Sequence, residues 1–168
     1  MFQINDVVVY GAQGVCKIVG MQEQKIDGTN KTYFVLKPAD DRGATFYVPT
    51  WNEKALAKMR KVMTKQDVDA LIDSMPKKKP VWIANENERR ETYKRILAGG
   101  NQAQIIAMIQ AIYLHKKERE AEGKRLHMSD EHFMKDAEQL LYNEWQYILN
   151  VDKVGLMAYI FERIERNK

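Results

Sequence analysis

The residues best suited to chemistry in this sequence gather around one tryptophan. Trp82 follows Pro80 and the run Lys77-Lys78-Lys79, and it precedes Arg89-Arg90 and Lys94-Arg95. An aromatic ring beside such bases at the start of a helix can stack on or wedge against nucleic acid while the cations hold phosphates. The alternative is packing: the ring staples the start of the helix onto its neighbours. Sequence alone leaves both readings open. Between Lys77 and Arg95 seven bases face three acids, a net of +4 that equals the formal charge of the whole chain. A patch of that kind attracts phosphate or an acidic protein surface, or it is simply a solvated face.

Other candidates offer less. His127 and His132 stand five apart, a spacing that does not align two rings on one helical face, and His115 stands alone. No Cys/His pair or carboxylate cluster has the spacing of a metal site, so no metal or other cofactor is expected. Gly11-Ala12-Gln13-Gly14 lacks the Lys-Ser/Thr of a phosphate loop and joins two strands rather than preceding a helix. Cys16, the single cysteine, lies within an expected strand and reads as a small core residue. Catalytic residues are not expected, nor is a small-molecule substrate. Trp145 shares a helical stripe with Leu141 and Ile148 and reads as core; Trp51 either seals the β module or sits between the halves.

The elements that must position these groups divide the chain in two. Val7–Tyr10, Val15–Val19, Lys31–Lys37, Ala44–Val48 and a segment near Met59–Met63 read as short strands, separated by turns at Gly11–Gly14, Ile26–Asn30 and Asp40–Gly43. Five short strands with tight links predict a small, strongly bent antiparallel β-barrel. From Thr64 onward the period is helical. Thr64 and Asp67 form a capping-box pattern, and Asn85, Asn101, Ser129-Asp130 and Asp152 mark further helix starts. Gly99-Gly100 closes one helix, and Pro76-Lys77-Lys78-Lys79-Pro80 interrupts the series as a stiff, charged link. Short connections between amphipathic helices predict a compact all-α domain. The fold class expected is therefore α+β, with a β module over 1–63, a short helix and basic linker over 64–80, and a helical domain over 81–168.

No apolar run approaches the roughly 18 residues of a membrane span, so no membrane partner is expected. The start, Met1-Phe2-Gln3-Ile4-Asn5-Asp6, lacks a signal-peptide pattern, and a lone cysteine suits a reducing cytoplasm, so a cytoplasmic location is expected.

The stretch from Phe2 to Val15, with Val7-Val8-Val9-Tyr10-Gly11-Ala12-Gln13-Gly14 at its centre, resembles the opening of the CarD-like family of bacterial transcription regulators. The resemblance continues through Ile26-Asp27-Gly28, Tyr33-Phe34-Val35-Leu36-Lys37 and Phe46-Tyr47-Val48-Pro49. It reaches Tyr93-Lys94-Arg95-Ile96-Leu97-Ala98-Gly99-Gly100-Asn101, which looks like the family's helix–turn–helix junction. It implies a Tudor-like/SH3-like N-terminal module that binds the RNA polymerase β subunit. It also implies a helical domain that contacts promoter DNA, where a family tryptophan wedges into the minor groove and helps hold the open complex. Two departures accompany it. The wedge position falls near Glu86, four residues after Trp82, and positions that are basic in some relatives fall near Gln24 and Tyr47.

Carried onto this chain, the resemblance implies a polymerase face at Gln24, Tyr33, Val35, Lys37, Phe46 and Tyr47, where strand addition and apolar packing need no particular charge. For promoter DNA it points to Lys77, Lys78, Lys79, Trp82, Arg89, Arg90, Lys94 and Arg95. A regulator of this kind is not an enzyme: it shifts the equilibrium between closed and open complexes by binding one better than the other. The main alternative is an adaptor that uses the β module and binds protein alone.

Overall fold

The computed structural model describes residues 1–40 and 42–167. The chain separates into two compact units, Met1–Met63 and Thr64–Lys168. The expected α+β division is what the structure contains.

The first unit is one five-stranded antiparallel sheet built from β1 (Val7–Tyr10), β2 (Val15–Ile26), β3 (Thr29–Pro38), β4 (Phe46–Pro49) and β5 (Met59–Lys61), in the order β4-β3-β2-β1-β5. A one-turn helix, α1 (Glu53–Leu56), lies between β4 and β5. One face of the sheet closes over Val8, Cys16, Ile18, Phe34, Leu36, Val48 and Met59. Alternation explains that face, because every second strand residue points inward.

β2 runs seven residues beyond the expected Val19. Its register slips by one between Ile18 and Gly20, a bulge that bends the strand and lets it continue. Asp27 and Gly28 then turn the chain in two residues, both at positive φ, 51° and 78°, as a tight hairpin demands. The added arm is Gln22-Glu23-Gln24-Lys25, polar on both faces, so no alternation announces it. Pro49 ends β4 at the sheet edge, where its missing N–H breaks no ladder bond. In the turn expected over Asp40–Gly43, Asp41 lies outside the described residues.

The second unit contains α2 (Lys65–Ser74), α3 (Glu86–Gly99), α4 (Gln102–Ala121), α5 (Met128–Leu149) and α6 (Lys153–Arg166). The Thr64–Asp67 capping box forms with both reciprocal bonds at 3.1 Å. Asn85, Asn101 and Asp152 each cap the helix they precede, and Gly100 closes α3 in the left-handed conformation. Ile105, Ile112, Leu141, Trp145 and Leu156 form the buried centre, each worth about 1.5–3 kcal/mol of transfer free energy if fully buried. The Trp145 indole N–H donates to Gln102 at 2.9 Å, so its polar end is satisfied inside the core. Residues 64–74, assigned from sequence to a connecting segment, are held by the bundle. Tyr159 donates to Asp69, and Arg163 forks onto Asp73 at 2.8 and 2.9 Å. Among the described residues no helix is long and apolar enough to cross a membrane.

Candidate functional site: two interaction surfaces

In the helical unit the groups around Trp82 form a layered stack. The Trp82 ring lies against His115 of α4, with centroids 3.7 Å apart and planes 9° from parallel. The Arg89 guanidinium stands 4.5 Å from the same indole. Arg89 is only 3% exposed. It forks onto Asp130 of α5 at 2.8 and 3.0 Å and donates to the Ile83 carbonyl at 3.0 Å. Helix α5 begins at Met128, one residue before the expected Ser129-Asp130 start, and Asp130 is turned inward to the buried arginine instead of capping. A buried bidentate pair of this kind ties α3 to α5. Arg89 and Trp82 therefore hold the segment before α3 in place, as a staple would. Burial pushes the His115 imidazole below its ordinary value of 6.5, and Glu118 at 3.8 Å opposes that shift.

The three lysines sit differently. Met75–Lys77 form a 3₁₀ turn, and the chain beyond it is extended. Gln110 donates to the Met75 carbonyl at 3.0 Å at one end of this strap, while Trp82 and the Arg89–Ile83 bond fix the other. Lys77, Lys78 and Lys79 are all exposed between these anchors, and none has an ion pair among the described residues. Lys77 also helps hold the Asp73 carboxyl below its ordinary range, after the larger effect of the Arg163 hydrogen bond.

On α3 the expected bases are mostly matched by acids on their own helix. Arg90 pairs with Glu86 at 2.9 Å and Lys94 with Glu91 at 3.5 Å; Arg95 is exposed without an ion pair among the described residues. Of the eight positions expected to meet DNA, four therefore carry cations without an ion pair among the described residues: Lys77, Lys78, Lys79 and Arg95.

The β module presents a second surface. Residues paired across antiparallel strands share a face, and successive residues alternate. Pairing of Gln24 with Lys31, Gln22 with Tyr33, Gly20 with Val35, and Val35 with Tyr47 puts Gln24, Tyr33, Val35, Lys37 and Tyr47 together on the outer face. Phe46 pairs with the buried Leu36 and packs on the core, 5.9 Å from Tyr10, so it belongs to the opposite face.

Trp51, given no role from sequence, joins the outer face. It is 45% exposed, meets Tyr33 edge-on at 4.9 Å, and lies under the Lys31 ammonium at 4.9 Å. The signal missed was its distance in sequence: Tyr33 and Lys31 lie on β3, well before Trp51, and only the β3–β4 pairing brings them close.

The edge of β4 also limits what it can bind. The Thr50 N–H donates toward β3, to the Thr32 carbonyl at 3.1 Å. By alternation the N–H groups of Val48 and Phe46 turn the same way, which leaves Tyr47 and Pro49 toward the open edge. Pro49 has no N–H, so Tyr47 supplies the one backbone donor of β4 there.

Conventional reactive groups are muted. Burial pushes the Cys16 thiol up to about 11, which keeps it protonated and poorly nucleophilic near neutrality. Among the described residues no group of three or more His, Cys, Asp or Glu side chains gathers as a metal site.

Residues 2–63 match the family model described as CarD-like/TRCF RID domain, an RNA polymerase-interacting domain. The match covers the first compact unit almost completely. Comparison of the chain with curated proteins gives no match.

Proposed function

We propose, from the premise that this chain belongs to the CarD-like family through residues 2–63, that it is a non-enzymatic transcription regulator with one unit for polymerase and one for promoter DNA. The β module docks on the RNA polymerase β subunit through its outer face. The helical unit contacts promoter DNA through the anchored lysine strap and Arg95, and these contacts favour the open complex. The family match carries the polymerase half. For the DNA half the supporting observation is the strap itself: three exposed lysines, without ion pairs among the described residues, on a segment held at both ends. Such contacts are independent of sequence and release counterions, so affinity falls steeply with salt. A preference of about 1.4 kcal/mol for the open over the closed complex shifts that equilibrium tenfold.

Titration of fork-junction promoter DNA with the full chain, with polymerase present, at two salt concentrations tests this. With four unmatched cations, log K against log[salt] is expected to slope at about −3 to −4. Absent or salt-insensitive binding rejects the DNA role.

A second reading is favoured by a separate observation: Trp82 and Arg89 are engaged inside the helical unit and α3 is largely self-neutralised. On that reading the helices bind protein alone. Replacing Lys77, Lys78 and Lys79 with alanine separates the two: loss of promoter-DNA affinity with the fold intact supports the DNA reading, whereas unchanged affinity for the promoter complex supports protein binding alone.

A further inference from the structure

We infer that Trp51 anchors the docking face of the β module, and that the partner surface it fits on RNA polymerase is an apolar pocket rimmed by carboxylates. The partner's identity rests on the polymerase assignment made above; the chemistry of the fit comes from this face alone.

Trp51 is exposed and yet held. Just before it, the backbone N–H and the hydroxyl of Thr50 both donate to the Thr32 carbonyl, at 3.1 and 2.9 Å. Just after it, the Asn52 N–H donates to the Pro49 carbonyl at 3.4 Å, and the Asn52 side chain caps α1. Tyr33 supports the ring from the side. A large aromatic fixed before binding loses little entropy when it docks, which is why such residues dominate interface energetics. The same face carries Val35 and Tyr47, the latter 47% exposed.

Charge defines the rim. The strand positions of this face carry Lys17, Lys31 and Lys37 and no carboxylate, since Glu23 pairs with Thr32 on the other face. The partner is therefore acidic around its pocket. Backbone strand addition along β4 contributes little, because β4 offers one N–H donor at its open edge, so beside Trp51 side chains supply most of the affinity.

Lysines beside aromatics can also hold single-stranded nucleic acid. Here, however, the Tyr33 and Trp51 planes stand 82° apart, so they do not offer parallel platforms to successive bases. That geometry and the continuity with the polymerase-interacting domain favour a protein partner.

The test is the affinity of the full chain, fluorescently labelled, for purified RNA polymerase, compared among wild type, Trp51→Ala, Trp51→Phe and Lys31→Glu. Trp51→Ala is expected to bind on the order of 30-fold more weakly, equivalent to about 2 kcal/mol. Trp51→Phe should stay within a few-fold of wild type. Lys31→Glu should weaken binding, more so at low salt. If Trp51→Ala lowers the melting temperature, Lys31→Glu and Tyr47→Ser read the same face without removing the indole. Wild-type binding that none of these variants weakens overturns the anchor and leaves the polymerase assignment standing. No wild-type binding overturns both. Loss of single-stranded DNA binding in Trp51→Ala with polymerase affinity unchanged overturns the protein partner.

Discussion

Trp51 and Trp82 each stand beside a base and a second aromatic ring, yet the two units use them in opposite ways. Trp51 meets Tyr33 edge-on and keeps nearly half its surface in water, with Lys31 above it. Trp82 is stacked flat on His115 and faced by an arginine that is itself buried and paired. The first arrangement leaves a rigid apolar surface uncovered; the second uses its ring to hold a strap. What separates them is the state of the neighbouring cation. Lys31 has no acid partner among the described residues, whereas Arg89 is committed to Asp130.

The largest effect should come from that commitment. Arg89→Met leaves the Asp130 carboxylate buried without its counter-charge, at a cost of about 3–5 kcal/mol. Urea denaturation should show it as a lower midpoint at unchanged slope. Pairing the change with Asp130→Leu should recover much of the loss, and no recovery would mean the pair is not the support described here. Trp82→Ala comes next, with a loss on the order of 2 kcal/mol for a half-buried indole in the same denaturation. A loss of DNA affinity without any loss of stability would move Trp82 to the binding side.

Replacing Lys77, Lys78 and Lys79 with alanine should leave stability within about 0.5 kcal/mol, since exposed and unmatched side chains contribute little to folding. The same triple change should cut the salt slope of DNA binding by up to about three units. An unchanged slope would assign the phosphate contacts elsewhere.

The smallest effect concerns His115. Burial lowers its folded pKa below 6.5, so below that pH the unfolded chain binds the extra proton more readily than the folded one. The contribution is intact above pH 6.5 and fades as pH falls toward the folded value. A modest drop in melting temperature on acidification from pH 7 is expected, weakened in His115→Phe; an equal drop in both proteins would place the effect on other groups.

Much of this was legible in the sequence where the determinants are local. The Thr64–Asp67 box, the Asn85, Asn101 and Asp152 caps and the valine run of β1 before the Gly11–Gly14 link depend on residues a few positions apart, and each element formed where expected. Long-range pairs were not legible. Arg89 looked like a DNA contact because its partner, Asp130, lies 41 residues later on another helix. Phe46 and Tyr47 looked equivalent until register placed one inward and one outward. Charge counting exaggerated α3 for a related reason: Glu86 and Glu91 lie within one turn of Arg90 and Lys94 and neutralise them.

One measurement bears most directly on the division of labour between the units: the ratio of the chain's affinity for promoter-bound polymerase to its affinity for free polymerase, followed as salt is raised. An apolar, Trp51-centred contact and a lysine-strap contact should respond differently. The expected result is a ratio well above one at low salt that falls toward one at high salt, while affinity for free polymerase falls less steeply, because only the lysine rim of the Trp51 contact is screened. A ratio of one at every salt concentration would contradict the DNA role and leave a protein-only adaptor.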